Sequence, residues 1–231
     1  MDVNISRDEV LSENISTITN NVKKESKMYR FIKRVIDIIF SIIGLIGLIP
    51  VTIVIAIANL FVKDKGPVFF TQERIGKDGK LFKFYKYRSM VINADEKLKK
   101  YLEENEQARK EYEKYKKLEN DPRVTAIGKF IRKTSIDELP QFINILKGEM
   151  SLVGPRPYLP REIKDMGENY TEIVKVKPGL TGLWQVNGRS DTTFKQRTEI
   201  DKEYIERKST ILDIKIIIRT FLKVFVKEGA K

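Results

Sequence analysis

The longest apolar run is Val35 to Val62, about 28 residues in which Asp37 is the only charge. A transmembrane helix needs roughly 20 such residues, so length alone allows a span. Pro50 divides the run, and Gly44 and Gly47 lie just before it. Proline removes a backbone donor and bends a helix, and glycine permits a bend or a close approach. Each arm is then about 12 to 15 residues, or ~18–22 Å at 1.5 Å per residue. Neither arm crosses a hydrocarbon core of ~30 Å. Lys33 and Arg34 flank one end, and Lys63 and Lys65 the other. Basic flanks stay on the cytoplasmic side. The pattern over 33–64 therefore predicts a re-entrant helix–break–helix with both ends on the cytoplasmic face; a spanning helix is the alternative. Asp37 is expected to pair with Lys33 or Arg34 at the mouth rather than sit alone in lipid. The run starts too late, is too long and lacks the cleavage site of a signal peptide.

Before it, residues 1–32 are polar and read as a mobile tail. After it, 65–231 reads as one cytoplasmic domain. Val68–Thr71 and Leu81–Tyr87 have strand character, with Gly76-Lys77-Asp78-Gly79 as the turn of a short β-hairpin. Residues 93–120 form a charge-rich helical excursion. Glu106/Lys110 and Glu113/Lys117 fall at i,i+4 spacing, and Leu98, Tyr101, Leu102, Ala108, Tyr112, Tyr115 and Leu118 make a narrow apolar stripe. Asp121-Pro122 closes it. Met150–Val153 is a short apolar run, a short helix is expected within 161–177, and 177–190 reads as a glycine-rich loop around the single Trp184. Phe194–Arg207 is an amphipathic helix. Ile211–Lys227 is another, with Lys215, Arg219, Lys223 and Lys227 spaced by four on an otherwise apolar surface. That pattern suits a membrane interface. The fold class is α+β and mainly helical.

Composition narrows the chemistry. The 231 residues contain no Cys and no His. That excludes thiolate nucleophiles, disulfides, Cys/His zinc sites and imidazole bases. Catalysis must use carboxylates, hydroxyls, Lys, Tyr or a hard metal on oxygen ligands. A formal charge of +12 implies an anionic partner: nucleic acid, an anionic membrane surface or a phosphorylated substrate. The charged helix carries as many acids as bases, which argues against nucleic acid.

The densest chemistry lies in Lys129–Pro157, KFIRKTSIDELPQFINILKGEMSLVGPRP. Adjacent acids Asp137 and Glu138 follow three cations, Lys129, Arg132 and Lys133. Ser135 or Asp137 is placed to cap a helix that runs through Phe142 and Leu146 and stops at Gly148. A helix start suits phosphate, and an anionic carboxylate beside a phosphate site can act as a nucleophile. In Gly154-Pro155-Arg156-Pro157, two prolines hold the backbone around an arginine whose fork matches diphosphate oxygens. Gln185, Asn187 and Arg189 alternate along the chain and are candidates to read a nucleotide or sugar.

The segments T-S-I-D-E-L-P-Q and L-K-G-E-M-S-L-V-G-P-R-P resemble the bacterial sugar transferase family, the monotopic phosphoglycosyl transferases that start glycan assembly on a polyprenol phosphate. The resemblance runs from about Lys33 to the C-terminus. It implies a covalent nucleophile at Asp137 and a Mg²⁺ link at Glu138. Its G-P-V-F-F-x-Q-x-R-x-G and F-Y-K-Y-R-S-M motifs lie near the active site, which makes Lys86 and Arg88 candidate phosphate ligands beside Arg132 and Arg156. It implies transfer of a sugar 1-phosphate from a UDP-sugar, glucose or galactose before an N-acetylhexosamine, to undecaprenyl phosphate, with release of UMP. The setting it implies is the cytoplasmic face of the bacterial inner membrane, with membrane lipids as partners and no nucleic acid. The 93–120 insertion looks most like the hexose-1-phosphate transferases of exopolysaccharide and O-antigen pathways. Oligomeric state is open, a homodimer included. The competing readings are a non-catalytic membrane scaffold, which predicts a damaged D-E pair or P-R-P, and a membrane-anchored nucleic-acid binder. Both motifs are intact.

Overall fold

The computed structural model describes residues 26–62, 64–187 and 192–226. Its first element, α1 (Lys27–Leu60), has 34 residues and a length of about 50 Å. It starts at Lys27, inside the stretch expected to be tail. Pro50 lies within it, so the anticipated two arms form one helical element. Its inner face is Asp37, Ser41, Leu48 and Ile55, all buried. Its outer face is Ile39, Ile42, Ile46, Ile49, Ile53 and Ile57, all exposed. This inverts the polarity of a water-soluble surface helix, whose apolar stripe turns inward.

Polar anchors explain the inversion. Asp37 accepts from the Ser151 hydroxyl (3.0 Å) and the Leu152 amide (2.8 Å). It does not pair as expected. Lys33 instead meets Asp213 at 2.7 Å, and Arg34 donates to the carbonyls of Ile145 and Leu146. Those carbonyls lie in the last turn of a helix, where backbone donors run short, and the Ile145 oxygen also accepts from the Gly148 amide at 2.9 Å. Near the other end, Thr52 bonds the Tyr87 hydroxyl, and Asn59 donates to the Gly66 carbonyl and accepts from Arg88. Both ends of α1 are therefore fastened to the same folded body. Gly44 works by close approach: a Cβ there would fall 2.5 Å from the Phe142 ring.

The hairpin pairs β1 (Phe69–Ile75) with β2 (Leu81–Tyr87), antiparallel, Phe69 opposite Tyr87 and Ile75 opposite Leu81. β1 runs four residues beyond its predicted end. Gln72-Glu73-Arg74 is polar and lies beyond the expected strand, yet cross-strand pairing with Lys83 and its neighbours carries β1 on, and Arg74 is buried. Asp78 and Gly79 take left-handed backbone in the turn. The charged excursion is two helices, α2 (Ala94–Glu104) and α3 (Glu106–Tyr115). Asn105 is extended and its side chain accepts from the Ala108 amide, so it starts a new helix inside the expected single one. The stripe holds: Leu98, Ala108 and Leu118 form a small core of their own.

Next come α4 (Ala126–Lys133), α5 (Gln141–Lys147) and β3 (Ser151–Val153). Two short helices follow, α6 (Ile163–Met166) and α7 (Asn169–Ile173). The expected glycine-rich loop contains β4 (Gly179–Thr181), parallel to β3, and α8 (Leu183–Asn187). Gly154 and Gly179 meet backbone to backbone there, a contact that any Cβ would block. The chain closes with α9 (Phe194–Arg207), capped by Thr193 and Gln196, and α10 (Thr210–Val226). The main core joins Ile145, Met150, Val153, Tyr158, Tyr204 and Ile216, each at most 1% exposed. A second cluster ties Leu48 and Ile55 of α1 to Tyr87 and Ile131. On α10, Ile211, Ile214, Ile218, Phe221 and Leu222 are exposed beside exposed Lys215 and Arg219. Lys227 lies outside the described residues.

Candidate functional site

After α4 the chain turns through Ser135, a non-glycine residue at φ 56°, into a 3₁₀ turn, Ile136–Glu138. Such backbone costs free energy and persists where the surroundings impose it. Asp137 sits inside this turn, and α5 starts after Pro140 and ends on Gly148 in left-handed backbone. Asp137 is thus not the helix cap that the sequence suggested, and α5 has only seven residues. What holds Asp137 is long-range: Lys86 on β2 reaches its Oδ2 at 3.3 Å and Glu138 Oε1 at 3.5 Å. The Asp137 side chain is 7% exposed and that of Glu138 is 43% exposed. One carboxylate is held; its neighbour is open.

Ile136 and Glu138, on either side of Asp137, line a cavity of about 500 Å³. Lys86, Arg132, Arg156, Trp184 and Gln185 line it too, together with Arg74 and Arg197. Arg132 donates to the Ser89 hydroxyl at 2.9 Å and lies in the field of Asp137. Arg156 and Arg197 flank Trp184, with guanidinium carbons 5.9 and 4.6 Å from the ring. Arg74 is tied by one nitrogen to the Pro157 carbonyl, 2.9 Å away. The Nε atoms of Arg74, Arg156 and Arg197 are buried and have no hydrogen-bond partner among the described residues. Burial first, and then the charge of Arg156, lower the pKa of Arg74 to about 9 and that of Arg197 to about 10. Three crowded guanidiniums with free donors favour an anion with several oxygens, which relieves their repulsion and satisfies the donors.

The predicted residues divide accordingly. Lys86, Arg132, Glu138, Arg156 and Gln185 converge on the cavity wall, with Asp137 between two wall residues. Arg88 does not line it; its guanidinium holds Asp64, Asn59 and the Pro67 carbonyl and so fastens the end of α1. Asn187 is exposed and accepts from Arg219 at 3.5 Å. Gln185 and Asn187 sit on a helix, so they do not share a face as they would on a strand. Arg189 lies outside the described residues. Trp184 is buried and acts as a platform for two arginines, in keeping with a structural role.

Arg74, Arg197 and Lys116 were missed. Arg74 is the Arg of the Q-x-R-x-G motif, and it lies beyond the strand end that the sequence predicts. Arg197 had a usable signal: Phe194, Arg197, Asp201, Tyr204 and Ile205 form the buried stripe of α9, so a charged residue stands on a core face. Lys116 follows α3 in left-handed backbone, pairs with Asp165 at 3.0 Å and lines the cavity. The charged excursion therefore borders the site, which periodicity alone gave no reason to expect.

Asp201 supports this wall from behind. It is fully buried; its Oδ2 accepts from the Arg156 amide (3.0 Å) and the Tyr158 hydroxyl (2.8 Å), and its Oδ1 has no partner among the described residues. Desolvation outweighs these bonds and raises its pKa to about 7. Between about pH 4 and 7 the folded protein holds a proton that the unfolded chain has released, so stability falls as pH rises through that window. Asp201→Asn is expected to flatten this decline, measured as the thermal midpoint in detergent from pH 5 to 7.5.

As for a metal, no group of three or more Asp and Glu that could hold one occurs among the described residues. Mg²⁺ commonly takes one or two carboxylates and completes its shell with substrate phosphates and water. Half-exposed Glu138 on the cavity wall fits that pattern.

The chain belongs to the bacterial sugar transferase family, whose model matches residues 28–227. It is 46% identical to the undecaprenyl-phosphate galactose phosphotransferase of Salmonella typhimurium over 92% of this chain and 44% of the relative. It is 41% identical to the UDP-glucose:undecaprenyl-phosphate glucose-1-phosphate transferase of Escherichia coli K12, over 89% and 42%. The exopolysaccharide production protein ExoY of Sinorhizobium fredii is 38% identical over 86% of this chain and 87% of its own length. The chain thus spans less than half of the first two relatives and most of the third.

Proposed function

We propose that this protein transfers a hexose 1-phosphate from UDP-glucose or UDP-galactose to undecaprenyl phosphate and releases UMP. The observation that carries the reading is a buried carboxylate held by Lys86 at the edge of a cavity lined by three arginines with unpartnered donors. The names of the relatives support the substrate classes.

Arg74, Arg156 and Arg197 bind and orient the diphosphate of the UDP-sugar, and Gln185 lies among them. An Asp137 oxygen attacks the phosphorus that bears the sugar. The P–O bond to Asp137 forms as the bond to UMP breaks, and UMP leaves with the electron pair. An oxygen of the lipid phosphate then attacks the same phosphorus and displaces the Asp137 carboxylate. Lys86 keeps the Asp137 side chain aimed through both displacements. Glu138 would hold a Mg²⁺ together with substrate oxygens, and the ion would supply charge neutralisation of the phosphates. Two displacements at one nucleophile give ping-pong kinetics.

The exposed isoleucine face of α1 and the apolar face of α10 lie in the cytoplasmic leaflet of the inner membrane, with Lys215 and Arg219 at its headgroups. Anchoring of both ends of α1 on one body supports re-entry over a span. The test is UMP release from a panel of UDP-sugars with undecaprenyl phosphate and Mg²⁺. Release is expected with UDP-glucose or UDP-galactose, and none with any member of the panel would overturn the reading.

A further inference from the structure

A second cavity, of about 530 Å³, lies between α1 and α4. Its walls are apolar side chains: Pro50, Val54 and Ala58 from one face of α1, Ala126 and Phe130 from one face of α4, and Ile136. Ile136 also lines the arginine cavity and precedes Asp137. Ile136 therefore borders both an apolar groove and a mixed cavity that holds the arginines together with Phe40, Phe142 and Phe221. Val54 and Phe130 are exposed at 65% and 64%, and the groove continues into the outer isoleucine face of α1 through Ile53 and Ile57.

We infer that this groove seats the phosphate-proximal isoprene units of the lipid acceptor and so delivers its phosphate to position 137. The inference rests on the proposed reaction and adds the place of the chain. A ligand that fills both cavities must carry phosphate at one end and hydrocarbon directly behind it. A polyprenyl phosphate has that form. A bilayer phospholipid puts a polar glycerol ester linkage between the two, and the groove wall has no polar group to meet it. The volume suits a few isoprene units, with the rest of the chain passing along α1 into the bilayer. Burial of those units gives chain-dependent affinity, and the fixed exit past Ile136 orients the phosphate.

The test uses the full chain in detergent or nanodiscs. Ala58→Trp fills the groove from the α1 side. It is expected to reduce kcat/KM for undecaprenyl phosphate by about tenfold, equivalent to losing roughly two buried methylenes, while single-turnover UMP release without acceptor stays unchanged. Single-turnover UMP release without acceptor reports whether the variant is folded and competent for the first displacement. An unchanged kcat/KM for undecaprenyl phosphate in a competent variant overturns the groove and leaves the reaction standing. No UMP release from the unsubstituted protein overturns the reaction and the groove with it. Independently of folding, a polyprenyl phosphate with a diazirine in its first isoprene units is expected to label peptides containing residues 50–58 and 126–131. Labelling confined to the face around Ile39–Ile46 overturns the placement. So does labelling of 50–58 by a photoreactive phospholipid that excess polyprenyl phosphate fails to displace.

Discussion

Asp137→Asn is expected to lower UMP release roughly 10⁴-fold or more, on the scale of removing a covalent nucleophile. The substitution keeps volume and shape at a side chain only 7% exposed, so packing of the 3₁₀ turn changes little. Lys86 keeps a carboxylate partner in Glu138, 3.5 Å away, and is not left as an unpaired charge. What is lost is an anionic oxygen able to form a bond to phosphorus; an amide oxygen is a poor substitute. Two measurements check this: steady-state UMP release, and intact-protein mass after UDP-sugar is added without acceptor. The unsubstituted protein is expected to gain one hexose phosphate and the variant none. A variant with an unchanged thermal midpoint and near-normal turnover would assign the nucleophile elsewhere.

Arg156→Lys is expected to cost about 10²-fold in kcat/KM for the UDP-sugar, although charge is conserved. The scale is that of removing one preorganised donor at a developing charge. Lysine offers one compact ammonium on a flexible stem, whereas the guanidinium presents a rigid planar fork. Here the fork has a fixed seat. Pro155 and Pro157 restrict the backbone, the Arg156 amide is tied to Asp201, and the side chain lies against Trp184. The ammonium inherits none of the side-chain part of that preorganisation. A large rise in KM with kcat nearly intact would mean that Arg156 binds ground state and transition state equally. Turnover within twofold of the unsubstituted protein would remove Arg156 from the site.

Much of the site was legible because it is local in sequence. The D-E pair and P-R-P each lie within a few residues, and proline restricts backbone wherever it stands. The hairpin and the last two helices were also readable, since periodicity and turn chemistry specify them with little help from elsewhere. Arg88 was misplaced because strand alternation indicates a face, not what lies opposite it; its partners are 21 to 29 residues away. Asp37 was misassigned for a similar reason. Lys33 and Arg34 are neighbours along α1, but Ser151 and Leu152 reach Asp37 from more than a hundred residues off.

The sequence alone supplied the candidate reactive groups and the long apolar run of α1. The lack of Cys and His excludes thiolate and imidazole chemistry, and apolar length, proline position and flanking cations are properties of the chain before it folds. Tertiary structure alone decided that Arg74 and Arg197 join Arg156, that Lys86 holds Asp137, and that the arginine-bearing cavity and an apolar groove share Ile136. Those juxtapositions depend on which faces pack together. Packing is settled by burial and by satisfying polar groups across long sequence separations, and no local pattern records either.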